Sequence, residues 1–394
     1  MKWKTYRLGD CVTFLSGGTP SKKKPEYWNG GIPWISCKDM KVDYLYDSQD
    51  YITDTGSKNG TRLVPERTVL IVVRGMILAQ HFPVAITKRS LAFNQDLKAL
   101  ECSSKIDSIY LFHWLRGKSY EILGIADEAA HGTKRLQTDR LQNFPIDLPP
   151  LPTQHKIASI LSAYDDLIEN NTRRIKILES MAQTLYQEWF VKFRFPGHKQ
   201  VNMVESELGL IPEGWLGKLE DALILQRGFD LPIKKRKQGN VPVYASTGIT
   251  GTHNEAKIKA PGVVTGRSGS LGTVMYVDEN FWALNTTLWV REFRKVTPIY
   301  AFYLLSSLGL EQYNSGAAVP SLNRNNVHGL PVVIPNSSIL EQFDDYVEPL
   351  FQLKKSLQRK NINLCKTRDL LLPKLISGQI DVENLDIDTG ELAA

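Results

Sequence analysis

The sequence predicts an α+β chain built from two β-rich domains in tandem, each followed by one long helix. Three observations carry that expectation. Two separate stretches repeat apolar residues every seven positions. The two stretches lie 186 residues apart and share a proline-marked entry. The segments ahead of them are filled with short β-branched runs cut by Gly and Pro.

In chain order, residues 1–152 form the first β-rich domain, with strand patterns such as "TVLIVV" and "PVAIT". Residues 153–196 hold the central helix, whose pattern runs from about Gln154 to Phe190 after the breakers of "LPPLPT" and stops before Pro196 and Gly197. Its seam is Ile157, Leu161, Tyr164, Ile168, Asn171, Ile175, Leu178, Ala182, Leu185 and Trp189, stepping by four and three. Such a seam calls for one long helical partner rather than a globular bed. Residues 197–338 form a linker and the second β-rich domain, with "GVVT" and "GTVMYV" as strand patterns. Residues 339–380 supply the partner helix, marked by Phe343, Leu350, Leu357, Leu364 and Leu371. "IPNSSILEQ" replaces "LPPLPTQ" at its start, which leaves its first turn open, and Pro349 predicts a kink. Residues 381–394 read as an acidic tail.

The halves are copies. Phe343 follows Ile157 by 186 residues, and Pro145 and Pro149 of "FPIDLPP" fall on Pro331 and Pro335 of "LPVVIPN" at the same offset. "WKTYRLGD" resembles "WLGKLED", "GIPWIS" resembles "NVPVYAS", and "LAFNQDLKAL" resembles "WALNTTLWV". A loop joining glycine, proline and a cationic run occurs at the same place in each copy, as "SGGTPSKKKPEYW" and "RGFDLPIKKRKQG".

The chain has 394 residues, a formal charge of +6 and a pI near 8.9, a mild basic excess that favours an anionic partner. Cys11, Cys37, Cys102 and Cys365 form no CxxC pair, so neither a zinc site nor a disulfide framework is expected, and a reducing, cytoplasmic setting fits. "VLIVVRGMILA" is interrupted by Arg74 and is too short to span a bilayer, so no membrane partner is expected. "LRGKSY" has Phe112 where a phosphate loop needs its first glycine and reads as a helix end. "GRSGSLG" lacks nucleotide-loop spacing and reads as a turn between strands. His113 and His131 are isolated, each read as a surface or packing residue rather than an acid-base group. No metal or catalytic constellation emerges.

The motifs "SGGTPSKKKPEYWNGGIPWIS", "FPIDLPPLPTQHKIASIL" and "LLLPKLISGQI", set in a duplicated frame over nearly the whole chain, resemble the specificity subunits of type I restriction and modification enzymes. That resemblance implies that each β-rich domain is a target-recognition domain and that the two helices pack antiparallel as a coiled-coil spacer. It implies double-stranded DNA, two adenine-methylating modification subunits and ATP-driven restriction subunits as partners. S-adenosylmethionine, ATP and Mg would then belong to those partners, with no cofactor and no catalytic or metal-binding residue on this chain.

The residue chemistry fits that role. Phosphates are held by Lys and Arg, whereas sequence is read by a few side chains at base edges. Lys22, Lys23 and Lys24, and in the second copy Lys234, Lys235, Arg236 and Lys237, are suited to phosphate contact. Tyr27 and Trp28 either stack on bases or brace their loop. Arg74, Arg267, Arg324, Asn94 and Ser268 stand in or beside turns and either reach bases or serve as surface and turn residues, and Lys134 and Arg135 complete the candidate DNA contacts. A helix of about 37 residues is roughly 55 Å long, enough to hold two readers about one DNA turn apart. Antiparallel packing would bring Asn171 near Leu357 and Asn361, where an amide partner is available; the alternative is that Asn171 faces a modification subunit or solvent. Two rivals differ in class. An enzyme with its own recognition domains would need a cofactor or metal motif; a coiled-coil scaffold would have basic loops that bind nothing in particular, and steeply salt-dependent binding of duplex DNA would disfavour it.

Overall fold

The computed structural model describes residues 3–128 and 133–390 of the chain; His131 lies outside them. These residues form two compact units, one holding the chain up to Asn171 together with the chain from Lys360, the other Thr172–Arg359. The two long helices are therefore not a body of their own, because each contributes one half to each unit.

In the first unit Leu97–Cys102 lies between Val12–Ser16 and Val69–Val72, antiparallel to both. A second sheet sets Leu91–Phe93 parallel to Trp28–Ile35, with Ala92 opposite Trp34 and Phe93 opposite Ile35. The second unit repeats both arrangements. Thr287–Phe293 lies between Leu223–Arg227 and Gly262–Gly266, and Val243 and Tyr244 run parallel to Trp282 and Ala283. "GIPWIS" and "LAFNQDLKAL" thus pair with each other just as "NVPVYAS" and "WALNTTLWV" do. In both copies the first strand closes on the strand that leads into the long helix, Lys4–Arg7 on Pro145–Leu148 and Leu216–Lys218 on Pro331–Val333.

The central helix spans Leu151–Tyr186 and ends in a π-turn over Gln187–Val191. The distal helix spans Ser337–Ile376, passing through Pro349 without interruption, so the kink expected there does not divide it. Its first turn is set by Asn336, whose Oδ1 accepts from the Ile339 N–H at 3.1 Å. Asn336 occupies the repeat position of Pro150, so a side-chain cap replaces the proline stop of the first copy. Every seam position of the central helix is buried or half-buried. The expected meeting of Asn171 with Asn361 is present: Asn171 Nδ2 donates to Asn361 Oδ1 at 2.8 Å, and Asn361 Nδ2 donates to the Ile168 carbonyl at 3.2 Å. A polar pair in an apolar seam fixes the register, because any slip would leave buried amides unpaired.

The repeat seats its helices differently in the two units. In the first, Asp165 of the central helix accepts from Arg368 of the distal helix at 2.6 Å and from Arg116 of the helix Ser108–Gly117 at 2.8 Å. His113 lies inside this network, fully buried, with Nε2 3.3 Å from Ser162 Oγ. Burial pushes His113 down to about 3, so the ring packs there as a neutral imidazole. In the second unit the repeat position of Asp165 is Phe351, which packs edge-on against Tyr276 at 4.9 Å, and Tyr186, Phe190, Tyr300 and Phe343 form an aromatic core nearby.

Residues 381–390 do not form a free acidic tail. Val382 is buried, Lys156 Nζ donates to the carbonyls of Glu383 and Leu385 at 2.8 Å, and Ser159 Oγ donates to that of Asp388 at 2.7 Å. The strip of chain therefore lies along the first turns of the central helix, and residues 391–394 lie outside the described ones. Among the described residues all four cysteines are free, and no helix is long and apolar enough to cross a membrane. "LRGKSY" ends the helix Ser108–Gly117, and "GRSGSLG" turns between Gly262–Gly266 and Val274–Val277.

Candidate nucleic-acid interface

Both cationic loops leave the same point of the repeated fold. The strand Val12–Ser16 delivers Gly17 against the turn after Leu91–Phe93, where a Cβ would stand 2.3 Å from the Phe93 carbonyl oxygen. The strand Leu223–Arg227 delivers Gly228 against the turn after Trp282–Ala283, where a Cβ would stand 2.2 Å from the Leu284 carbonyl oxygen. Only glycine tolerates either approach. The loop origin is thus fixed twice by backbone contact.

In the first loop Lys22 and Lys23 are exposed and hold no partner among the described residues. Lys24 Nζ hydrogen-bonds Tyr27 Oη at 3.1 Å and lies 5.1 Å from that ring's centroid. Tyr27 is buried, and its carbonyl accepts from the Thr53 N–H at 3.0 Å. Trp28 donates to the Ser21 carbonyl at 3.2 Å and meets Trp34 edge-on at 5.2 Å. Both aromatics brace the loop, and Tyr27 has no free face for a base.

In the second loop Lys234, Lys235 and Lys237 are exposed. Arg236 is not a free phosphate ligand. It is half-buried, and its Nη1 donates to the Thr250 carbonyl at 2.7 Å, tying the loop to the strand Gly248–His253.

The remaining candidates other than Asn94 gather at one edge of each unit. In the first, Lys134 and Arg135 pair antiparallel with Gly75 and Arg74, which sets Arg135 opposite Arg74 on an exposed ribbon. Cys37 supports that ribbon from below, its Sγ 3.6 Å from the Arg74 carbonyl, and burial pushes its thiol up to about 11, so it stays protonated. In the second unit Ser268 bridges Ser321, the residue at the repeat position of Arg135, and the Leu322 N–H donates to the Arg267 carbonyl at 2.8 Å.

Asn94 does not reach this edge. It is 7% exposed, and its Oδ1 accepts from the Asp96 N–H at 3.1 Å, so it forms the turn. Its Nδ2 also donates to Asp96 Oδ2 at 3.3 Å, so the amide is turned inward onto its own turn.

Beside the second edge opens a cleft of 860 Å³ lined by Arg227, Arg267, Arg291 and Arg324 together with Asp230 and Ser321. Arg324 begins the short helix Arg324–His328 and donates to the Leu225 carbonyl at 3.3 Å. His328 accepts from the Leu225 N–H at 3.1 Å, and burial lowers its basicity, so the helix is pinned to the strand Leu223–Arg227. Arg227 and Arg291 escaped the sequence reading. Arg227 directly precedes Gly228, so its place at the loop mouth was recoverable, whereas Arg291 sits mid-strand with no local signal. Four guanidiniums around one open cleft suit a polyanion. Among the described residues no three His, Cys, Asp or Glu side chains come together to hold a metal ion.

Residues 1–180 and 218–364 match the family model for the type I restriction modification DNA specificity domain, so the model falls once on each copy of the repeat. The MjaIX type I restriction enzyme specificity subunit of Methanocaldococcus jannaschii is 29% identical over 97% of this chain and 94% of its own length. The EcoR124I/EcoR124II specificity subunit of Escherichia coli is 34% identical over 51% of this chain and 50% of its own. The crystal structure of the type I restriction-modification S subunit from M. genitalium shares the fold, with a TM-score of 0.64 at 16% identity over 95% of this chain and 96% of that one.

Proposed function

As the chain belongs to the type I restriction-modification specificity family, and is a non-catalytic DNA-recognition subunit, we propose that it reads a bipartite, asymmetric target in double-stranded DNA. Each unit reads one half-site. The observation that carries this reading is the repeated frame with unlike contents: loop origin and edge recur, yet Arg135 meets Arg74 in one copy, while Ser321 meets Ser268 beside a four-arginine cleft in the other. Shared geometry with different side chains gives two half-sites of different sequence.

The subunit positions two adenine-N6 methyltransferase subunits, and for cleavage the ATP-driven restriction subunits, around that target. S-adenosylmethionine, ATP and Mg are used on those partners.

The lysine loops test the reading. Replacing Lys22 and Lys23, or Lys234, Lys235 and Lys237, with alanine will weaken DNA binding by the assembled complex. The slope of log K against log salt will flatten by about one unit per lost phosphate contact, with the recognised sequence unchanged. A salt slope identical to that of the parent would remove these loops from the interface, and a changed motif would make them base readers.

A further inference from the structure

We infer that Arg267 is a base-reading residue of the second unit and that the half-site this unit recognises contains a guanine held by its two Nη groups; this rests on the DNA-recognition reading above. The four arginines of the cleft are not alike. Arg227 is exposed and lies 3.5 Å from Asp230, and Arg291 is exposed and lies 3.7 Å from Glu292. Arg324 spends one Nη on the Leu225 carbonyl.

Arg267 alone of the four is held through Nε, which donates to the Asn285 carbonyl at 2.8 Å. Its own backbone is clamped on both sides, the N–H donating to the Thr286 carbonyl at 2.8 Å and the carbonyl accepting from Leu322. Asn285 is held in turn by a side-chain hydrogen bond to Asp230. Both Nη atoms are then left without a partner among the described residues, on a half-buried side chain lining an open cleft. A guanidinium anchored at Nε presents the other two nitrogens as a rigid fork, so little rotamer entropy remains to be lost on binding. The fork matches the paired O6 and N7 acceptors that guanine shows in the major groove, a pattern no other base presents. A phosphate contact would not need the Nε anchor, because a flexible side chain finds a phosphate from many positions.

The test uses the subunit assembled with its modification subunits and duplexes randomised over the target. Arg267→Lys keeps the charge and phosphate affinity but loses the fork, and Arg267→Gln loses both. Arg267→Gln is expected to relax one G·C position in one half-site by roughly 10- to 100-fold, Arg267→Lys to relax the same position by less because an ammonium still reaches O6 and N7 without the fixed fork, and both to leave the other half-site intact. The salt slope of Arg267→Lys should equal that of the parent. If both folded variants select the parent motif, or if Arg267→Lys weakens all sequences equally, Arg267 does not read a base. If Arg267→Gln fails to fold, Arg267→Lys decides alone. A parent complex that selects no motif overturns the recognition reading as well, and one that selects two half-sites, neither containing G·C, overturns only this inference.

Discussion

Replacing Asp165 with alanine will cost the first unit about 3–5 kcal/mol, the range for removing one partner of a buried ion pair. The side chain is 2% exposed and takes one guanidinium from each of two elements, Arg368 at 2.6 Å and Arg116 at 2.8 Å. Alanine would leave a void where both cations now meet a buried carboxylate. Each keeps one more exposed contact, Arg116 to Asp43 at 3.1 Å and Arg368 to its neighbour Asp369 at 2.8 Å, but the bond that ties the distal helix to the central one is lost. Glu179→Ala is the control in the second unit. That carboxylate is half exposed and lies 2.7 Å from Lys354, a surface pair worth about 0–1 kcal/mol. Urea unfolding of the two variants side by side measures the difference, and equal midpoints would show that the network does not anchor the helices.

A seven-residue insertion in each long helix will widen the unread gap of the DNA target by about three base pairs while leaving both half-sites unchanged. Seven residues are two helical turns, about 10 Å, and preserve the phase of a seven-residue seam. The places matter. Positions equivalent in the repeat, such as Leu178 and Leu364, do not face each other, because the Asn171–Asn361 hydrogen bond and the Glu179–Lys354 pair set the opposing levels. Insertions after Asn171 and after Arg359 fall where both helices pass from one unit to the other, so each unit keeps its own contacts. A gap of the original length in the mapped motif would mean that the helices do not set the spacing.

What the sequence disclosed about this molecule follows the range of the signal. The seam and the duplication were legible because a period of seven and an offset of 186 are carried by many residues at once. Asn171 stood out as a polar residue in an apolar seam, and antiparallel packing offered Asn361 as a partner, but only the fold chose between that amide and solvent or another subunit. The seat of the helices was not legible, since Asp165 lies 49 residues from Arg116 and 203 from Arg368 and neither spacing has a local signature. At the interface, charge runs exposed the lysine loops, but composition could not separate Arg236, tied to Thr250, from the free lysines beside it. Nor could it tell that Asn94 closes a turn, because asparagine before a polar residue reads the same in either role. The distinction of Arg267 rests on a carbonyl whose position only the fold supplies.

Because one chain carries two unlike readers on a repeated frame, the motif that the parent complex selects from fully randomised duplexes will consist of two short half-sites of different sequence separated by an unread gap of fixed length. A palindromic motif, a single uninterrupted one, or binding without sequence preference would contradict it.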